Sequence, residues 1–130
     1  MANRQAEIKK AVLHFEAVVK ENPLDALAHH NLAAAYHRDE RLEDALQAYN
    51  EAIALRPQWG SPHAQMGFVL KDLGDINGSA LAYETAVELD PNDAISCYNL
   101  GVLYFNQGRL EDAGENTDLD KKTQSTLLLL

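Results

Sequence analysis

A period of 34 residues constrains the fold of this chain more than any other feature of its sequence. Three prolines mark the period at positions 23, 57 and 91, and the same step aligns residues of similar size and polarity along most of the chain. The aligned sets are Asn31/Gln65/Asn99, Leu32/Met66/Leu100, Ala33/Gly67/Gly101, Tyr36/Leu70/Tyr104, Leu42/Ile76/Leu110 and Ala45/Ser79/Ala113. A repeat of this length indicates an array in which each unit buries its apolar face against its neighbours.

Each unit contains two stretches with helical spacing of apolar residues. In the first unit Leu32, Ala35 and Tyr36 share one helical face, and Leu42, Ala45, Tyr49, Ala52 and Ile53 share another. Small residues opposite aromatic ones predict closely packed helix pairs. Gly74 and Gly108 lie between the paired helices, where a left-handed backbone is favoured, but the first unit has Glu40 there and is expected to lose some stability. The predicted N-caps are Asp25, Ser61 and Asp93.

This pattern resembles the tetratricopeptide repeat (TPR) family over about residues 6–113. The resemblance rests on Asn31-Leu32-Ala33, Tyr36, Ala45, Tyr49, Ala52 and Pro57, then Met66-Gly67, Leu70, Tyr83, Ala86 and Pro91, and finally Leu100-Gly101, Tyr104, Gly108 and Ala113. It implies an all-α fold of about six helices, in which antiparallel helix-turn-helix repeats stack as a short right-handed superhelix, or α-solenoid. The expected divisions are a half repeat over 1–22, repeats over 26–59 and 60–93, an incomplete repeat over 94–113, and an irregular tail over 114–130.

The tail departs from the pattern and leaves three interpretations open. Its polar, aperiodic composition is typical of a frayed or disordered end. Thr117 and Asp120 could instead begin an irregular capping helix that lets Leu127–Leu130 cover the open face of the third unit. Alternatively, the chain is a fragment of a longer array.

Composition limits the possible partners and compartments. The net charge of −9 disfavours nucleic acid, since an acidic chain repels phosphate. Apolar residues make up 46% of the chain, but no stretch has the length and character of a signal peptide or membrane span. Cys97 is the one cysteine, so no intrachain disulfide can form, which is typical of proteins in a reducing compartment. The chain is therefore expected to be soluble and cytoplasmic, and no membrane partner is expected.

The TPR resemblance implies a concave groove lined by the first helix of each unit. Acidic residues are absent from these segments, at 26–38, 62–71 and 94–109, which gives the groove a polar and aromatic character. The implied groove residues are His30, Asn31, Ala34 and His37; Ala64, Gln65, Phe68 and Lys71; and Ile95, Tyr98, Asn99, Val102 and Phe105. The sequence therefore predicts a scaffold for a protein or peptide partner.

The repeated amides Asn31, Gln65 and Asn99 carry the most specific functional prediction. An amide can both donate to and accept from a peptide backbone, so a row of amides can hold an extended peptide without reading its sequence. The series resembles the asparagine ladder of the TPR superhelix in O-linked N-acetylglucosamine transferase. The alternative is that the amides bond to neighbouring helices. An acidic ligand group is expected near His30, His37 and Lys71, with tighter binding once the histidines protonate below pH about 6.5.

Other kinds of site find little support. The carboxylate clamp of chaperone-binding relatives needs Lys, Arg and Asn, whereas the comparable positions hold His30, Ala34, Gln65, Ile95 and Asn99. The histidines lack the carboxylate and thiol neighbours of a metal site, and no catalytic motif is present, so no metal, cofactor or enzyme activity is expected. Two alternative functions remain. The chain is an oligomerising module that uses its open repeat ends to form a homo-oligomer, or it is a fragment of a larger TPR protein.

Overall fold

Six α-helices and no strand make up residues 2–108, the part of the chain that the computed structural model describes. They are α1 (Ala2–Glu21), α2 (Ala26–Arg38), α3 (Leu42–Leu55), α4 (Gly60–Asp72), α5 (Ile76–Leu89) and α6 (Ala94–Asn106). Helices α2, α4 and α6 begin 34 residues apart, at positions 26, 60 and 94. The predicted all-α helical-repeat architecture is confirmed. The predictions for Leu110, Ala113 and the 114–130 tail lie outside the described residues.

Each helix packs mainly on its neighbours in the chain. The most extensive contacts join α2 to α3 and α4 to α5, and α1, α3 and α5 also contact the helix that follows each of them. Helix α2 additionally touches α4. Helices α2, α4 and α6 are therefore the first helices of their units, and α1, α3 and α5 are second helices.

Alanines and tyrosines form the core, as the alternation of small and large residues predicts. One cluster contains Ala33, Ala45, Ala48, Tyr49 and Val69, and a second contains Ala80, Tyr83, Leu100, Leu103 and Tyr104. The repeat pattern predicts that seven residues are largely buried: Leu32, Tyr36, Tyr49, Met66, Tyr83, Leu100 and Tyr104. Of these, Tyr36 and Met66 remain partly exposed. The Tyr36 hydroxyl donates to Glu16 at 2.7 Å, and Arg41 lies over its ring, so this tyrosine sits at the edge of the core.

Two of the three predicted helix caps form. Asp25 accepts from the backbone N–H groups of Leu27 and Ala28, and Asp93 accepts from that of Ser96. The prediction for Ser61 is wrong. Trp59 holds the N-cap position of α4 and makes no side-chain cap bond, since an indole has no acceptor, while Ser61 lies within the helix and its hydroxyl bonds to the imidazole of His30.

The turn between α2 and α3 has the strain that its sequence predicts. Glu40 has φ 60°, while Gly74 and Gly108 adopt φ 87° and 70° at the equivalent positions. Because a side chain makes this conformation costly, Glu40→Gly should raise the free energy of unfolding by about 0.5–1 kcal/mol in urea titrations. Gly74→Ala, which adds a Cβ to open space at positive φ, should lower it. A less stable Glu40→Gly protein would contradict this account.

Candidate functional site

The predicted groove residues lie in three different surroundings along α2, α4 and α6. Some line a groove between α1 and α2, some line a cavity between α4 and α6, and some lie exposed on α6. Two histidines instead join α2 to α4. The positions are equivalent in the repeat, but their neighbours differ.

The α1–α2 groove receives Asn31 and Ala34. It encloses about 700 Å³ at the N-terminal end of the described stack. Its lining residues are Arg4, Glu7, Ile8, Ala11 and Phe15 of α1 and Asn31, Ala34, Ala35 and Arg38 of α2. The lining combines apolar residues with the exposed side chains of Arg4, Glu7 and Arg38, so this groove offers both apolar contact surface and charged groups.

The α4–α6 cavity brings together Gln65, Phe68 and Ile95. It encloses about 250 Å³ and is lined by Trp59, Gly60, Ser61, Ala64, Gln65, Phe68, Asp90, Asp93, Ile95 and Ser96. Phe68 is held edge-on against the buried Tyr83 ring, with centroids 5.9 Å apart. The cavity thus combines apolar walls, one amide and two carboxylates.

His30 and His37 contact α4. The Nε2 atom of His30 lies 3.1 Å from the Ser61 hydroxyl, and its ring stacks on Trp59 with centroids 4.9 Å apart. The Nε2 atom of His37 pairs with an Asp72 carboxylate oxygen at 2.8 Å. Each imidazole thus already has a partner across the α2–α4 joint, with which an acidic ligand group would compete, and the role of the two histidines in binding stays a prediction. Lys71, the third predicted member, is exposed.

His30 should make stability depend on pH. Burial lowers the pKa of His30 below its ordinary value of 6.5, against a smaller opposing effect of Asn31. The unfolded chain therefore takes up this proton at a higher pH than the folded chain. The stabilisation is fully present above about pH 6.5 and is lost as the pH falls toward the folded pKa. Urea titrations from about pH 7 to pH 5 should show a steeper loss for the wild type than for His30→Gln.

Equal slopes for the wild type and His30→Gln would remove His30 as the source of this pH effect. Burial moves the protonation of His30 in the unliganded protein to a lower pH than the sequence suggested, and tighter ligand binding on protonation stays a prediction.

The three amides do not share one environment. Asn31 lines the α1–α2 groove and Gln65 lines the α4–α6 cavity, but the Nδ2 atom of Asn99 is buried and completes no hydrogen bond within the described residues. Asn99 lies near the Tyr83 hydroxyl, where it partly offsets the effect of burial in raising the pKa of Tyr83. The Nδ2 atom of Asn99 is thus covered by its own chain, and peptide binding by the three amides stays a prediction.

Helix α6 presents an apolar face. Ile95, Tyr98 and Phe105 are 68%, 52% and 65% exposed, and Val102 lies partly buried beside them. These side chains recur at steps of three and four, which places them along one side of the helix. These side chains are exposed enough to contact a ligand, and their role as an apolar contact surface stays a prediction.

Trp59 is a site residue that the sequence reasoning missed. It lines the α4–α6 cavity, stacks on His30 and lies under the Arg56 guanidinium, 4.7 Å from the ring centroid. The available signal was a tryptophan at a position where the other units have Asp25 and Asp93.

The remaining histidines and the cysteine have packing roles. The ring nitrogens of His29 and His63 approach the carbonyl oxygens of Pro23 and Pro57, at 2.8 and 3.4 Å, one repeat apart. Cys97 occupies the same position in the third unit, where burial raises the pKa of its thiol. Residues 2–108 contain no cluster of metal-binding side chains. Within this range, no helix combines the length and apolar character needed to cross a bilayer.

Comparisons with known proteins agree on the family. A TPR repeat model matches residues 67–108, and a tetratricopeptide repeat model matches residues 4–59. The Hsp70-Hsp90 organizing protein of Triticum aestivum is 29% identical over 85 residues, which cover 65% of this chain but only 15% of that protein. The chain therefore spans a small part of this relative.

Two solved structures share the fold. MamA superposes with a TM-score of 0.78 at 21% identity, covering 92% of this chain and 68% of MamA. The first TPR of Spaghetti (RPAP3), bound to the HSP90 peptide SRMEEVD, superposes with a TM-score of 0.75 at 21% identity, covering 81% and 83% of the two chains. At this identity the likeness supports the fold alone.

Proposed function

The chain belongs to the tetratricopeptide repeat family, and we propose that it is a scaffold that binds an extended peptide segment of a partner protein. The observation that supports this most directly is the α4–α6 cavity, where Gln65, Phe68 and Ile95 meet. The proposal places the protein in the cytoplasm and involves neither catalysis nor a cofactor.

The cavity suits one apolar side chain of the ligand. Trp59, Phe68 and Ile95 supply its apolar walls, and a volume of about 250 Å³ exceeds that of any single side chain. Gln65 is the group in the cavity suited to a peptide backbone, because its amide can donate and accept at once. The ligand would run past this amide and insert an apolar residue between α4 and α6.

The charges favour a basic group beside that apolar residue. Asp90 and Asp93 line the cavity, and Asp93 also caps α6, which fixes its position. Asp90 is exposed, so its carboxylate can meet a ligand cation at the cavity mouth. The net charge of −9 works in the same direction by repelling acidic segments.

An acidic tail is a poorer ligand for this chain. The RPAP3 structure holds the peptide SRMEEVD. In this chain His30 and His37 are bonded within the stack, and the cavity carries carboxylates. These features support the view that the ligand is apolar and basic.

Selection from random peptides displayed on phage tests the proposal. Enriched peptides should carry an apolar residue next to Lys or Arg. Synthetic copies should bind Gln65→Ala and Ile95→Ala at least about tenfold more weakly in fluorescence polarisation. Leu81→Ala removes a similarly exposed aliphatic side chain from α5 and should bind like the wild type. Enriched peptides that bind all four proteins equally would place the site elsewhere.

A further inference from the structure

Within residues 2–108, helix α1 contacts one first helix, α2, whereas α3 and α5 each contact two. In α3, Ala45, Tyr49 and Ala52 are fully buried. Their equivalents on α1, 34 residues earlier, are Ala11, Phe15 and Val18, and all three are only partly buried. The α1–α2 groove is therefore the place that a first-type helix fills in the later units.

The opposite end of the described stack has a first-type helix with a free side. Ile95, Tyr98 and Phe105 of α6 are more than half exposed. One end of residues 2–108 thus has a vacant groove and the other has an apolar ridge.

The joint between α2 and α4 shows how one first helix meets the next. His30 contacts Ser61, and His37 contacts Asp72. Two repeat periods later in the chain, on α6, Tyr98 and Phe105 occupy the positions of His30 and His37. One repeat period earlier, on α2, Leu27 and Arg38 occupy the positions of Ser61 and Asp72.

We propose that copies of this chain stack head to tail, with the Tyr98–Phe105 ridge of one copy seated along the α2 side of the α1–α2 groove of the next. In this register Tyr98 meets Leu27, which is 51% exposed, and both side chains lose apolar surface. Phe105 meets Arg38, an aromatic ring facing a guanidinium on the rim of the groove. The proposed register therefore pairs an apolar side chain with an aromatic ring at one point and a cation with an aromatic ring at the other.

Charge favours a second copy in this orientation. Residues 1–41 contain six basic and six acidic residues, whereas residues 42–108 contain two basic and nine acidic residues. Two acidic ends repel each other, but an acidic end meets a neutral end that carries Arg4 and Arg38 with less repulsion. The two surfaces differ, so the contact is heterologous and leaves both outer ends free to add further copies.

Sedimentation velocity over a concentration series of the full chain tests this assembly. The wild-type mass should rise with concentration and pass beyond that of a dimer. Phe105→Lys places a cation against Arg38 and should weaken association at least about tenfold. Adding Arg38→Glu to this variant creates an ion pair in the proposed register and should restore association. Leu81→Lys puts the same charge on an exposed position of α5 and should retain more association than Phe105→Lys.

Two results would overturn the proposal. One is a wild-type chain that stays monomeric at every concentration. The other is an associating chain in which Arg38→Glu fails to rescue Phe105→Lys. Peptide binding at Gln65 and Ile95 is measured separately, so failure of the assembly and failure of the peptide site are distinguishable.

Discussion

Gly67→Val is expected to lower the free energy of unfolding by about 3 kcal/mol. A Cβ built at Gly67 lies 2.9 Å from the Cε2 and Cζ atoms of Tyr83, closer than carbon atoms can pack. The Tyr83 ring is fully buried, and the Gly67 carbonyl accepts from the Ser79 hydroxyl at 2.7 Å. Neither the ring nor the backbone of α4 has room to move, so overpacking outweighs the better helix propensity of valine.

Urea unfolding followed by circular dichroism measures this cost. Gly60 provides the matched control in the same helix, because its Cβ would meet its nearest neighbours at 3.6 Å, an ordinary contact distance. Gly60→Val should cost less than about 1 kcal/mol. In a Tyr83→Leu background, which lacks the clashing ring atoms, Gly67→Val should cost markedly less than in the wild type. Equal costs in the two backgrounds would show that the ring is not the cause.

The fold was predictable because each repeat solves the same packing problem. A small residue at the position of Ala33 or Gly67 faces an aromatic residue at the position of Tyr49 or Tyr83, so the period is visible in the sequence. The Glu40 turn was predictable for a similar reason, since two glycines mark the equivalent turns.

The site was less predictable because repeat position fixes where a side chain lies but not what it contacts. His30 and His37 occupy positions equivalent to Tyr98 and Phe105, yet the histidines bond to α4 while the aromatic residues are exposed. The difference arises from position in the stack, since α2 has a first-type helix beside it. Asn99 differs from Gln65 through its approach to Tyr83, which the amide pattern alone does not reveal.

The wrong cap at α4 has a comparable cause. Ser61 is a good N-cap by type, but its hydroxyl has a partner in His30, on another unit. The Ser61 hydroxyl instead gives a partner to the Nε2 atom of His30, which lies 31 residues earlier in the chain. Trp59 then takes the cap position and forms the cavity wall instead.

Leu100→Ala is expected to cost about 2–5 kcal/mol, and the cost should appear first as detachment of α6. Leu100 is 3% exposed and packs in the cluster that contains Tyr83 and Tyr104. Among the described helices α6 packs mainly on α5, so the lost contacts weaken the main attachment of one helix. Leu32→Ala, in a helix that contacts α1, α3 and α4, should instead lower the stability of the whole stack.

Hydrogen exchange with mass spectrometry separates these two outcomes. Leu100→Ala should speed exchange in α6 while α2 and α3 keep nearly wild-type protection, because a repeat array opens from its ends at a lower cost than from its interior. Leu81 on α5 is 64% exposed in the wild type, so Leu81→Ala provides the same truncation at an exposed position. It should change the free energy of unfolding by less than about 0.5 kcal/mol. If Leu100→Ala sped exchange equally in all six helices, the stack would unfold as one cooperative unit, and α6 would be as firmly attached as the interior helices.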